Sequence, residues 1–84
     1  MELKIQKLKP LFDFKLQIYY ENGEIRIFDV KPYIRGNWFI ELQNMAYFNA
    51  VRIIDDGGGI EWPHGQDIAP HELYEESIPC KQVQ

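Results

Sequence analysis

The sequence predicts an α+β domain: a small antiparallel sheet of about four or five strands built on hairpins, with two or three short helices. Three observations carry this. Apolar and polar residues alternate on both sides of Asn22-Gly23. A second strand–turn–strand pattern surrounds the run Asp55-Asp56-Gly57-Gly58-Gly59. Leu42, Met45, Ala46 and Phe48 fall at helical spacing, and Pro70 opens a further helical segment.

In chain order, Leu3 and Ile5 alternate with Lys4 and Gln6, which predicts a first strand closed by Pro10. Phe14, Leu16, Ile18 and Tyr20 then alternate with Lys15, Gln17 and Tyr19 up to Asn22-Gly23, and Ile25 to Phe28 returns. A two-residue turn here pairs Tyr20 with Ile25, Ile18 with Ile27 and Leu16 with Asp29. That register turns Ile18, Tyr20, Ile25 and Ile27 toward the core and Tyr19 and Arg26 away from it. Asp29 to Gly36 reads as a helical turn, with Asp29 as acceptor, Pro32 in the first turn and Gly36 at the stop. Glu41 to Asn49 predicts a short helix, and Ala50 to Ile54 a strand. Ile60-Glu61-Trp62 returns from the glycine run and ends at Pro63. Ala69 to Glu76 predicts the last helix, and residues 77–84 are expected to fray.

The 84 residues suffice for a single domain, 1–84. A chain this short buries only about 60% of its unfolded surface. Five Phe, five Tyr and two Trp supply large rings to compensate. One cysteine, Cys80, excludes an internal disulfide framework and fits a cytoplasmic setting. No apolar run suits a signal peptide or a membrane span, so no membrane association is expected. The formal net charge is -4, which disfavours phosphate-backbone binding.

The residues argue against several chemistries. Ser77 is the one serine and there is no threonine, so a hydroxyl-nucleophile triad has almost no material. Cys80 lies in the expected tail, away from any predicted base. His64, Asp67 and His71 invite a metal reading, but their spacing crosses Pro70 and fits no common site; no metal or cofactor is expected. Neither Lys nor Ser/Thr follows the glycine run as a phosphate loop requires, and its oxygens are too few for calcium, so it reads as a flexible hairpin connection.

A longer pattern then emerges. Asn22-Gly23, Phe28-Asp29-Val30, Pro32, Phe48, Ile60, Trp62-Pro63, Gly65, Asp67-Ile68, Pro70 and Leu73-Tyr74 occur in an order that resembles the bacterial domain of unknown function 2442 family. The likeness covers about residues 3 to 75, and Trp62-Pro63-x-Gly65-x-Asp67 is its most specific piece. It implies a small α+β fold without established activity. It also implies a partner from another small family, domain of unknown function 4160, encoded nearby, with this chain in the antitoxin role of a toxin–antitoxin-like pair. Longer relatives resemble carriers of a helical DNA-binding extension; 84 residues leave no room for one, and no direct nucleic-acid contact is expected.

Two functional readings follow. In the first, the chain is a non-catalytic protein-interaction module for a small basic, toxin-like partner, or for a second copy of itself. Trp38, Tyr47, Trp62 and Tyr74 are its candidate contact residues, since aromatic side chains dominate interface energetics. In the second, the chain is a small-ligand-binding domain or an accessory subunit of an enzyme. Asp29 or Asp67 would then lie in a pocket with converging polar groups. Each carboxylate also has a plain alternative, as a cap on backbone N–H groups.

Overall fold

A computed structural model describes residues 3–80. Seven strands form two antiparallel sheets, joined and partly covered by short helices. The first sheet has the order β1-β2-β3-β7, with β1 Ile5–Leu11, β2 Lys15–Tyr20, β3 Ile25–Asp29 and β7 Ile78–Pro79. The second has the order β4-β5-β6, with β4 Arg52–Ile54, β5 Gly59–Glu61 and β6 Asp67–Ile68. The helices are α1 Gly36–Phe39, α2 Met45–Phe48 and α3 Pro70–Glu75, with single 3-10 turns at Lys31–Tyr33, Ile40–Gln43 and Asp55–Gly57. The α+β class built on antiparallel hairpins is as the sequence predicts, with the strands divided between a four-stranded and a three-stranded sheet. Pro10 is tolerated because β1 is an edge strand.

The hairpin register differs from the expected one by a residue. Tyr19 pairs with Ile25, Ile18 with Arg26, Gln17 with Ile27 and Leu16 with Phe28. The connection has three residues, not two. Tyr20 N–H donates to Glu24 O at 2.9 Å, and Gly23 N–H donates to Tyr20 O at 3.0 Å. Gly23 alone adopts positive φ, at 95°. This is a tight turn followed by a left-handed glycine, a geometry that Asn-Gly serves as well as the two-residue turn. A slip of one residue exchanges the faces of β3. Phe28 therefore enters the core, 1% exposed, while Ile25 and Ile27 stand on the outer face.

The inner face of the first sheet carries Leu16, Ile18, Tyr20 and Phe28, all nearly inaccessible. Against it pack Phe48 of α2, Ile60 of β5, Trp62, Ile68 and Leu73 of α3. Trp62 is wholly buried, and its indole N–H donates to Phe48 O at 2.9 Å. That bond satisfies the one polar atom of the ring, so the residue is free to fill the core.

Two local departures have clear causes. The helix expected over 41–49 breaks at Asn44, whose side chain accepts from Tyr47 N–H and starts α2 afresh. The tail expected to fray from residue 77 is in fact ordered as far as Cys80. Ile78 pairs with Ile27, and Cys80 N–H donates to Ile25 O at 2.8 Å. Arg26 holds the approach to β7, donating to Ser77 Oγ at 2.7 Å and Ser77 O at 2.9 Å. The remainder of that tail, 81–84, lies outside the described residues. The glycine run is packed down, with Gly57 and Gly59 buried beside β1 and β4.

Candidate functional site

A second three-residue turn lies between β5 and β6, and the most organised polar cluster of the molecule is built around it. Trp62 N–H donates to Gln66 O at 2.8 Å, and Gly65 N–H donates to Trp62 O at 2.9 Å. Gly65 adopts φ 103°, a conformation that side chains with a β-carbon rarely take. The turn delivers Gln66 into the interior, wholly buried, yet fully bonded. Its amide nitrogen donates to Trp38 O at 2.9 Å and to Glu41 Oε1 at 3.0 Å. Its amide oxygen accepts from Tyr47 Oη at 2.6 Å.

The same turn ties in its neighbours. His64 N–H donates to Tyr47 Oη at 2.8 Å, and His64 Nδ1 lies 2.8 Å from Glu41 Oε2. The bonds from His64 and then from Gln66 hold the Glu41 carboxyl below its ordinary range. Four segments therefore meet through side-chain bonds: α1, the 3-10 turn after it, α2 and the β5–β6 turn. On this base sits an apolar surface. Trp38 is 55% exposed, and its ring lies over Gly65, 3.8 Å from where a β-carbon would stand. Ile40 and Met45 are exposed beside it in sequence, at 44% and 41%.

The predicted site residues do not all come together. Trp38 and Tyr47 belong to this cluster. Trp62 does not face outward; complete burial withdraws it as a contact residue. Tyr74 belongs to a different cluster at the first turn. Its hydroxyl donates to Glu24 at 2.8 Å, and the Arg26 guanidinium lies 4.3 Å from its ring centre. The Tyr74 bond is the main cause that holds the Glu24 carboxyl below its usual range. Tyr20 lies edge-on to Tyr74, and burial pushes its hydroxyl up to about 12. The Tyr20 hydroxyl is also buried without a hydrogen-bond partner among the described residues.

Asp29 acts as the expected cap: its carboxylate accepts from Lys31 N–H at 3.0 Å and pairs with the Lys31 ammonium at 3.2 Å. Asp67 is not a cap. It is exposed on β6 opposite Glu61, and among the described residues its carboxylate makes no hydrogen bond. A cavity of about 260 Å³ lies beside α3, lined by Leu3, Tyr20, Gly58, Pro70, His71, Tyr74 and Glu75. Neither Asp29 nor Asp67 lines it. Among the described residues no three His, Cys, Asp or Glu side chains cluster as metal ligands would. Nor is any described helix long and apolar enough to cross a membrane.

The sequence reading missed Gln66, Glu41 and the hairpin tip at Phe12. Gln66 looks like one more polar turn residue, and only tertiary contacts make it a hub. Phe12 is 89% exposed between β1 and β2, where Asp13 and Phe14 both hold positive φ and Lys31 bonds Asp13.

The two turns, the Phe28-Asp29-Val30 corner and the Trp62-to-Tyr74 segment fall within one continuous family match. A model described as "Protein of unknown function (DUF2442)" matches residues 5–79. The chain belongs to the DUF2442 family. No curated protein and no solved structure matches it. Within this DUF2442 chain, the motif residues Trp62 and Gly65 serve the architecture of the second turn. The side chains displayed around that turn, Trp38 and His64, fall outside the residues that carry the motif.

Proposed function

We propose that this DUF2442 domain is a non-catalytic protein-interaction module whose contact surface is the Trp38 platform. The observation that supports it most is the combination of a largely exposed indole with a rigid support: Trp38 is 55% exposed, while its backbone carbonyl is held by the wholly buried Gln66. A large ring fixed in advance loses little entropy when a partner covers it. Ile40 and Met45 are exposed on the adjoining segments, and Tyr47 and Glu41 are tied to the Trp38 carbonyl through Gln66.

Charge favours a small basic partner. Between Gly36 and Cys80 there are eight carboxylates, and Arg52 is the one lysine or arginine. This agrees with the antitoxin-like role that the family resemblance implies, in a cytoplasmic setting. The chemistry-poor composition, with one serine and no threonine, supports a role in binding over one in catalysis.

The test is co-expression with the neighbouring-gene partner that the family resemblance implies, followed by titration of the purified proteins. A complex forms, and Trp38→Ala weakens it by about 2 kcal/mol, the scale of an interface hot spot, with an unchanged circular dichroism spectrum. Absence of a complex at micromolar concentrations sinks the proposal, as does a complex indifferent to Trp38→Ala.

A further inference from the structure

The outer face of the first sheet has a different character from the Trp38 platform. Its side chains point away from the core, because strand residues alternate between faces. Cross-strand pairing sorts them into rows. One row runs Ile78–Ile27–Gln17–Lys9 and the next Ile25–Tyr19–Lys7. The β3 and β7 side of the face is thus aliphatic, and the β1 side is basic. Among the described residues, Ile25, Ile27 and Tyr19 are half-buried, none of them belongs to the core cluster or packs against it, and Ile78 is 64% exposed.

The lysines are available. Lys7 Nζ lies 5.2 Å from the Tyr19 ring centre, and neither Lys7 nor Lys9 pairs with a carboxylate among the described residues. A chain of net charge -4 therefore carries a local basic edge beside an apolar stripe. Four strands about 4.8 Å apart give a face wide enough for one α-helix about 10 Å across.

We propose that this open face docks an amphipathic helix of a protein partner, with apolar residues toward Ile25, Ile27 and Ile78 and acidic residues toward Lys7 and Lys9. Charge complementarity selects the occupant. Single-stranded nucleic acid would want stacked aromatic rings, and the stripe is mostly isoleucine. A second copy meeting face to face would lay the lysine edge either on its own counterpart or on the aliphatic stripe, and neither arrangement gives the ammonium groups a carboxylate. The surface lies on the side of the sheet turned away from the core. It is separate from the Trp38 platform, and neither proposal needs the other.

The experiment is a nitrogen-15 NMR titration of the full chain with three probes: a synthetic Leu/Glu amphipathic helical peptide, its Leu/Lys counterpart and an oligothymidylate. The Leu/Glu peptide should shift the amides of Tyr19, Ile25, Ile27 and Ile78. The double variant Lys7→Glu, Lys9→Glu should weaken that binding about tenfold, and Ile27→Ser should weaken it too, while Trp38→Ala leaves it unchanged. The proposal is overturned by no shifts at millimolar peptide, by an equal response to the Leu/Lys peptide, by shifts confined to the Trp38 region, or by tighter binding of the oligonucleotide. Failure of Trp38→Ala to affect the small basic partner would leave this face untouched, so the two proposals fail separately.

Discussion

Glu21-Asn22-Gly23 and Pro63-His64-Gly65 are the same backbone device used twice. In both, a buried aromatic residue precedes the turn, Tyr20 or Trp62, and a left-handed glycine closes it at φ 95° or 103°. In both, the residue after the glycine accepts a hydrogen bond from a helix-borne tyrosine: Tyr74 to Glu24, and Tyr47 to Gln66. The turns differ in where that acceptor lies. Glu24 keeps a carboxylate 39% exposed at the rim, whereas Gln66 is wholly buried and also holds the Trp38 carbonyl and Glu41. A charged group at the rim keeps part of its hydration, so its bonds contribute modestly. A neutral amide in the interior must be fully bonded; losing it leaves the Tyr47 hydroxyl without its acceptor and takes a donor from the Trp38 carbonyl, while Glu41 keeps His64.

The sharpest way to break that comparison is to remove the buried member. Gln66→Ala should cost about 3 kcal/mol in urea unfolding, because Tyr47 Oη and the Trp38 carbonyl lose their partner. It should also red-shift the Trp38 fluorescence as the platform loosens. A cost below about 1 kcal/mol would mean that the network is not holding the platform.

A smaller effect tests whether the backbones are equivalent. Gly23→Ala and Gly65→Ala should each cost about 1–2 kcal/mol, since both place a β-carbon in the left-handed region. Neither β-carbon meets a close clash: nothing stands within 4 Å at Gly23, and the Trp38 ring is 3.8 Å away at Gly65. Equal costs by thermal unfolding would support one shared device. Strongly unequal costs would show that side-chain context dominates.

The smallest effect distinguishes the turns by pH. Glu24 is held below its ordinary value of 4.5, chiefly by the Tyr74 hydroxyl. A depressed carboxylate contributes stability above its unfolded value, and that contribution is lost as pH falls through the folded one. Glu24→Gln should therefore flatten the decline in melting temperature between about pH 5 and about pH 3. Gln66 does not titrate, and acid sensitivity at the second turn should come through Glu41, whose carboxyl is also depressed. An unchanged acid limb in Glu24→Gln would remove Glu24 from this account.

How much was legible follows the same division between local and tertiary causes. The hairpin at Asn22-Gly23, the cap at Asp29, the strand Arg52–Ile54 and the helix opening at Pro70 were readable, because each depends on neighbours within a few residues. The register of β3 was not, since the same Asn-Gly pair suits a two-residue or a three-residue connection. Strand β7 was hidden because two residues carry no periodicity; Arg26 and Ser77 bring it to the sheet from 51 positions apart. Asp67 was readable as a turn carboxylate but not as a free one.

By itself, then, the sequence determined the class of fold, the places where the chain reverses and the scarcity of serine and threonine hydroxyls. These follow from alternation, turn chemistry and composition. Only the tertiary structure decided which aromatic residue is buried and which is displayed. Inside, Trp62 has Phe48 O to accept the hydrogen bond from its indole N–H, whereas at Trp38 the buried Gln66 amide holds the backbone carbonyl and leaves the ring exposed. Both outcomes depend on contacts between segments more than ten residues apart, which no local pattern encodes.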